Sequence, residues 1–332
     1  MTQKKNKAVT KEDVVVKFVG DSGDGMQLIG NLFTDTAALE GNDLANFPDY
    51  PAEIRGPHNT IAGVSGFQVH IGKKVYSSGD LCDVIVAMNP ASLKANLKWA
   101  KKGATIITDL DAFDQKAIEK SGYTSNPLED NSLQGYNLIK APLTTLTKDA
   151  LKELNLDGKT AEKSRNMFAL GMMYYLFNWK LDIAFDFFAK KFKKKPELIT
   201  SNKLAMQAGY NYADTVEAIS VTYLVPAATL DKGRYRNISG NVATAWGFLA
   251  ASERSGRPLF LGSYPITPAT EILMELAKHK SLGAKVFQAE DEIAGVCSAI
   301  GASFAGSLAL TTTSGPGLSL KSEAIGLAVM TE

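Results

Sequence analysis

What most constrains this chain is the alternation of short β-branched runs with longer segments of helical period, which recurs along its length. Residues 14–19 (VVVKFV) form such a run; the glycine-rich turn GDSGDG follows at 20–25, then an apolar-periodic stretch, MQLIGNLFTDTAALEG. Strand, turn and helix open an α/β unit, and successive units build parallel sheets with helices on both faces. DVIVAMN (83–89) is short and continuously apolar, which predicts a strand buried in such a sheet. ASLKANLKWAKKG reads as a helix closed by Gly103, and ATIITDL as the next parallel strand. VSGFQVHIG and KKVYSSG carry the alternation of a half-exposed hairpin.

The chain has 332 residues. Single hydrophobic cores stop growing at about 250–300 residues, so two domains are expected. Residues 161–215 supply three strong helical patterns, the helical lobe that closes the first domain. Residues 221–239 contain a proline, a glycine, mixed charge and no sustained period, so they read as a linker between domains at 1–220 and 240–332. The second domain alternates strictly: NVATAWGFLAASERSG (helix), PLFLGSYPIT (strand), PATEILMELAKHK (helix), KVFQAE (strand), DEIAGVCSAIGASFAG (helix), LALTTT (strand), the turn SGPG and a final helix. That again predicts a parallel sheet. The last helical pattern is still running at Glu332 with no capping glycine or asparagine, so this domain reads as incomplete.

Charge and cysteine content remove several function classes. Thirty-six basic residues against 35 acidic ones leave no whole-molecule field that would draw the chain to nucleic acid or an anionic membrane. Two cysteines, Cys82 and Cys297, are too few for a disulfide framework, a zinc site or an iron–sulfur cluster of the chain's own. Electrons handled here would have to be carried by another chain. The polar N-terminus MTQKKNKAVTKED lacks the apolar segment of a signal peptide, and no stretch approaches about 18 uncharged apolar residues, so a cytoplasmic protein is expected.

GDSGDG could cradle a phosphate on backbone N–H groups at a helix start, but the spacing of Gly20, Gly23 and Gly25 fits neither the dinucleotide nor the P-loop pattern. Asp21 and Asp24 would also repel a phosphate, so a structural turn is favoured. The loop DYPAEIRGPHNTIAGV gathers Glu53, Arg55, His58 and Asn59, residue types that loops often present to ligands; composition alone favours an exposed connector. KKFKKK (190–195) sits at a predicted helix C-terminus, where lysines complement the dipole.

Three motifs of the second domain are more specific. SYPITPAT (263–270) leaves a strand through two prolines that place Thr267 between them; QAEDEIAGV sets Glu290, Asp291 and Glu292 at a helix start; TTTSGPG allows a ligand close to the backbone. All three fall at strand carboxyl ends, where open α/β sheets bind ligands.

On these residues the chain resembles the 2-oxoacid:ferredoxin oxidoreductases, specifically an α subunit with a γ domain fused ahead of its pyrimidine-binding domain, and most closely those acting on 2-oxoglutarate. GDSGDGMQLIG, EIRGPHNTIAGVSGFQVHI, DVIVAMN and KSRNMFALG resemble the γ domain; GNVATAWG, YPITPATEI, EDEIAGVCSAIGASFAG and TTTSGPGLSLKSEAIGLA resemble the α domain. The resemblance implies a γ-type α/β domain with a helical lobe, then the first part of a thiamine-diphosphate pyrimidine-binding α/β domain. It implies thiamine diphosphate shared between chains, with the aminopyrimidine here and Mg²⁺, the diphosphate and an iron–sulfur cluster on a separate β subunit. Glu292 then corresponds to the glutamate that hydrogen-bonds the pyrimidine ring nitrogen and favours the imino tautomer. Thr267 lies near the 2-oxoacid substrate, Pro265 and Ile266 line the pyrimidine pocket, and Arg55 and Asn59 fall on the coenzyme A side. No metal ligand is implied on this chain. The implied reaction converts a 2-oxoacid and coenzyme A to an acyl thioester and CO₂ with reduction of ferredoxin; pyruvate or branched 2-oxoacids are alternative substrates, and a non-catalytic assembly module is the alternative role. A fused α subunit of this kind continues well beyond Glu332.

Overall fold

A computed structural model describes residues 7–51, 56–215, 219 and 221–332, and the chain divides into two compact units, Met1–Gly233 and Arg234–Glu332. The strands in chain order are β1 (Lys7–Thr10), β2 (Asp13–Asp21), β3 (Asp43–Asp49), β4 (Val64–Gly72), β5 (Cys82–Ala87), β6 (Ala100–Asp109), β7 (Asn137–Ala141), β8 (Val221–Leu224), β9 (Leu259–Ser263), β10 (Lys285–Gln288) and β11 (Leu308–Leu310).

The first unit is built on a six-stranded sheet of order β3-β4-β2-β5-β6-β7. β2, β5, β6 and β7 run parallel, while β4 is antiparallel to both β2 and β3. Alternation along β2 sends Val14, Val16 and Phe18 into a core shared with the helix Met26–Leu39 and the helical lobe, and Val15 and Val19 into a second core with Ile85, Leu93 and Ile106. Burial on both faces is why these strands are continuously apolar. The lobe comprises the helices Gly158–Glu162, Arg165–Leu176, Asp182–Lys191 and Pro196–Thr215.

Three local expectations fail. KKVYSSG forms no strand: β4 takes its partners from distant β2 and β3, and it is largely buried instead of half-exposed. The helix after DVIVAMN covers Pro90–Asn96 and stops well before Gly103. A register shift against β5 places Gly103 inside β6, where its φ of 74° serves a bulge and not a helix end. Residues 221–224, read as linker, form β8 and pair in parallel with β1; residues 225–239 contain no helix or strand.

In the second unit β9 is central in a parallel three-stranded sheet of order β10-β9-β11. Each strand is followed by a helix: Thr270–Ala277 after β9, Glu292–Phe304 after β10, and Gly315–Leu320 with Ser322–Met330 after β11. Leu259, Leu261, Leu273, Leu276 and Ala245 form its core. Among the described residues no helix is long and apolar enough to cross a membrane.

Candidate functional site

Because β9, β10 and β11 are parallel, the segments leaving them all emerge at one sheet edge, the carboxyl edge. Hydrogen bonds lock the three together. Ser263, the last residue of β9, donates from Oγ to the Thr312 carbonyl at 2.8 Å and meets Thr312 Oγ1 at 2.7 Å, while its own carbonyl accepts the Ala289 N–H at 2.9 Å. The buried Ser263 thus ties the segment after β9 to those after β10 and β11.

The helix Glu292–Phe304 is started by Asp291, whose Oδ1 accepts the Ala294 N–H at 2.7 Å. It lies close against β9: a Cβ on Gly262 would stand 2.5 Å from the Gly295 carbonyl and 2.2 Å from Ser298 Oγ. That approach sets Glu292, the first helical residue, at the carboxyl edge. Glu290 is exposed, whereas the half-buried Glu292 lays its stem across Gly317. A Cβ on Gly317 would come within 2.0 Å of Thr313 Oγ1 and 2.8 Å of Glu292 Cγ, so only glycine leaves room for the glutamate at this place. Pro265 and Ile266 are half-buried, Thr267 is exposed, and the Ile266 carbonyl accepts the Thr270 N–H that opens the next helix. Asn241 steadies the same turn from the helix Gly240–Ser255, donating to the Pro268 carbonyl at 3.1 Å.

One carboxylate beside small-residue backbone and apolar side chains is a setting for a flat heteroaromatic ring that offers a nitrogen to that carboxylate. The pyrimidine half of thiamine diphosphate fits this donor set. Among the described residues no cluster of three or more His, Cys, Asp or Glu side chains is arranged to hold a metal.

In the first unit side chains from the helical lobe and from the loop at 57–60 hold the GDSGDG turn, while Asp21 Oδ1 is buried without a hydrogen-bond partner among the described residues. Asp24 Oδ2 accepts the Asp21 N–H at 2.9 Å, Asp24 Oδ1 pairs with Arg165 at 2.7 Å, and the Asp24 carbonyl accepts from Asn166 Nδ2 at 3.0 Å. The Arg165 guanidinium is pulled in two directions. Burial works against its charge, but Asp24, Asp109 and Glu162 outweigh that and raise its pKa. Asp21 Oδ2 accepts the Asn59 N–H at 2.9 Å and stands 3.2 Å from His58 Nδ1. Asn59 is held at φ 61°, a left-handed conformation that asparagine tolerates. Glu53 and Arg55 lie outside the described residues. A cavity of about 320 Å³ beside the turn is lined by Gly23, Asp24, Lys159, Glu162, Lys163 and Arg165.

Sequence reasoning thus placed Glu292, Thr267, Pro265 and Ile266 at one edge. It missed Ser263, Thr312, Asn241 and Lys321 there, and Arg165 and Asn166 in the first unit. Lys321 stands alone within GLSLKSEAIGL and Arg165-Asn166 ahead of MFALG, but a single polar residue in such a run reads as solvated until its burial is known.

Fold and site together define an α/β subunit with a cofactor-type site at the carboxyl edge of its second unit. Residues 15–212 match the pyruvate ferredoxin/flavodoxin oxidoreductase family and residues 252–332 match the thiamine-diphosphate-binding domain of the pyruvate flavodoxin/ferredoxin oxidoreductases. The chain belongs to this family. It is 50% identical over 97% of its length to the 2-oxoglutarate oxidoreductase subunit KorA of Mycobacterium tuberculosis, covering 49% of that protein. It is 27% identical over 94% of its length to subunit alpha of 2-oxoacid:ferredoxin oxidoreductase 1 of Sulfurisphaera tokodaii, covering 52% of it. Among solved structures, the 2-oxoglutarate:ferredoxin oxidoreductase of Magnetococcus marinus, with 2-oxoglutarate, coenzyme A and succinyl-CoA bound, superposes with a TM-score of 0.66 at 30% identity, covering 96% of this chain and 50% of that one. The chain spans about half the length of the relatives it matches.

Proposed function

We propose that this chain works in the α subunit of a thiamine-diphosphate-dependent 2-oxoacid:ferredoxin oxidoreductase that converts 2-oxoglutarate and coenzyme A to succinyl-CoA and CO₂ while reducing ferredoxin. The observation that carries this reading is Glu292, set by its helix at the carboxyl edge with its stem across Gly317. The choice of 2-oxoglutarate rests on similarity to the Mycobacterium tuberculosis and Magnetococcus marinus proteins.

When bound, thiamine diphosphate supplies the reacting carbon at which a 2-oxoacid is decarboxylated and through which two electrons leave. Glu292 provides the hydrogen bond at the pyrimidine ring nitrogen and keeps the shared proton there; a preset carboxylate makes that contact without reorganising at the moment of reaction. Pro265 and Ile266 flank the ring and exclude water. Thr267 offers its hydroxyl to the 2-oxoacid. Arg55 and Asn59 of the first unit belong to the coenzyme A side.

The electron path and the diphosphate site fall to a β subunit carrying Mg²⁺ and an iron–sulfur cluster, with ferredoxin as acceptor. The thiols support this division: both cysteines are free, Cys297 is solitary, and burial pushes the Cys82 thiol up to about 11, which leaves it an inert core group. Two unpaired thiols also accord with a reducing, cytoplasmic setting.

The test is turnover of the enzyme assembled with its β subunit on 2-oxoglutarate, pyruvate and a branched 2-oxoacid, following reduction of ferredoxin. The expected result is a clear preference for 2-oxoglutarate with strict dependence on coenzyme A. Preference for pyruvate or a branched acid would overturn the substrate assignment, and absence of 2-oxoacid oxidation would overturn the reading itself.

A further inference from the structure

Lys321 is the most deeply buried cation of the second unit, with 1% of its surface exposed. It sits just beyond the helix Gly315–Leu320, one turn past Gly317, and its N–H is bonded to the Gly317 carbonyl at 3.2 Å. Residues four apart on a helical turn share a face, so Lys321 lies on the side of Gly317 that the Glu292 stem crosses. Its ammonium donates to Thr311 Oγ1 at 2.8 Å and to the Thr312 carbonyl at 3.3 Å. The Thr312 carbonyl is the same oxygen that accepts from Ser263.

An ammonium removed from water without an adjacent carboxylate is costly, and such a group is retained where its field acts on something. Among the described residues Lys321 makes no ion pair. Burial lowers its pKa and the charge of Glu292 opposes that effect. Neighbouring Glu290 and Glu323 are exposed, and Asp291 is spent on its helix cap.

We propose that Lys321 is a positioning residue for Glu292: its ammonium pins the chain after β11 through Thr311 and Thr312 and attracts the glutamate carboxylate, holding it aimed along the carboxyl edge. The assignment rests on the reading of Glu292 as the contact of the cofactor ring. It adds a group that does not touch the cofactor and acts only through the glutamate and the segment beneath it.

A double-mutant cycle in the assembled enzyme tests this, with thiamine diphosphate affinity in the presence of Mg²⁺ measured by calorimetry for wild type, Lys321→Met, Glu292→Gln and the double variant. Methionine keeps most of the stem volume and removes the charge. Loss of the ammonium's attraction for the glutamate is expected to weaken affinity roughly tenfold in Lys321→Met alone and by almost nothing in the Glu292→Gln background. In turnover, kcat should fall with KM for the 2-oxoacid unchanged. Wild-type affinity in Lys321→Met, or the same loss in both backgrounds as a merely structural lysine would give, overturns the proposal. Should Lys321→Met fail to assemble, Thr311→Val removes one acceptor without changing shape, and the same cycle is run with it; independence from Glu292 again overturns the proposal. Failure of the wild-type enzyme to bind thiamine diphosphate would instead overturn the functional reading, which the cycle separates from a missing Lys321 contribution.

Discussion

Glu292 and Gly317 form one construction at the residue scale, because the glutamate stem occupies the space a side chain at 317 would need. Gly317→Ala would place a methyl group 2.0 Å from Thr313 Oγ1 and 2.8 Å from Glu292 Cγ. Overpacking of this kind costs about 1–3 kcal/mol, which a folded unit survives with a lowered melting temperature. The glutamate would be pushed off its line, so thiamine diphosphate affinity of the assembled variant, measured by calorimetry, should drop sharply; wild-type affinity would contradict the role given to Gly317. The position of Glu292 at a helix start was legible in the sequence, but an acidic helix start is ordinary dipole chemistry, and its choice over Glu290 came from the family resemblance alone. Lys321 was not legible, since a single lysine in an apolar helix reads as a solvated residue until its burial is known. GDSGDG is the structural turn its spacing suggested, but Asp24 in it is held by Arg165, a partner 141 residues away that no local pattern announces.

At the scale of elements, the helix Gly240–Ser255 is fastened to the helix Thr270–Ala277 by buried Glu275. The carboxylate accepts from Lys278 at 2.6 Å and from Trp246 Nε1 at 2.9 Å, with His279 Nε2 at 3.3 Å. These bonds, that of Lys278 foremost, hold its pKa at about 2 against an ordinary 4.5. A carboxyl group depressed on folding contributes stability above its unfolded pKa and loses it as pH falls through the folded one. The second unit should therefore lose stability between pH 4.5 and about 2, and Glu275→Gln should flatten that part of the curve, as followed by denaturant unfolding across pH. An unchanged curve in the variant would contradict the assignment. Elements were legible where local and tertiary preferences agree: β2, β5 and the strand–helix alternation of the second unit are continuous apolar runs with clear turns. β3 (DLANFPD) was missed because its polar, proline-containing sequence is tolerated only at a sheet edge, and the edge is made by its partner β4. The hairpin expected of KKVYSSG failed for the same reason: alternation marks a strand but does not name its partner.

At the scale of the whole molecule, a unit matching the pyruvate ferredoxin/flavodoxin oxidoreductase family and a unit matching its thiamine-diphosphate-binding domain lie on one chain that spans about half the length of the relatives it matches. Both cysteines of the chain are free, and Cys82 is an inert core thiol. The alternation of strands and helices made both α/β units legible, since that period is dictated by the need to cover two sheet faces. The strand β8 at the start of the expected linker was not, because its pairing with β1 spans more than 200 residues and leaves no local trace. The most direct measurement is viologen or ferredoxin reduction by the assembled enzyme with 2-oxoglutarate and coenzyme A, comparing wild type with Glu292→Gln. Removing a proton-handling group typically costs about 10²–10⁴ in rate, so the variant should assemble normally and lose at least roughly a hundredfold in turnover; activity within a few-fold of wild type would contradict the placement of the cofactor ring against Glu292.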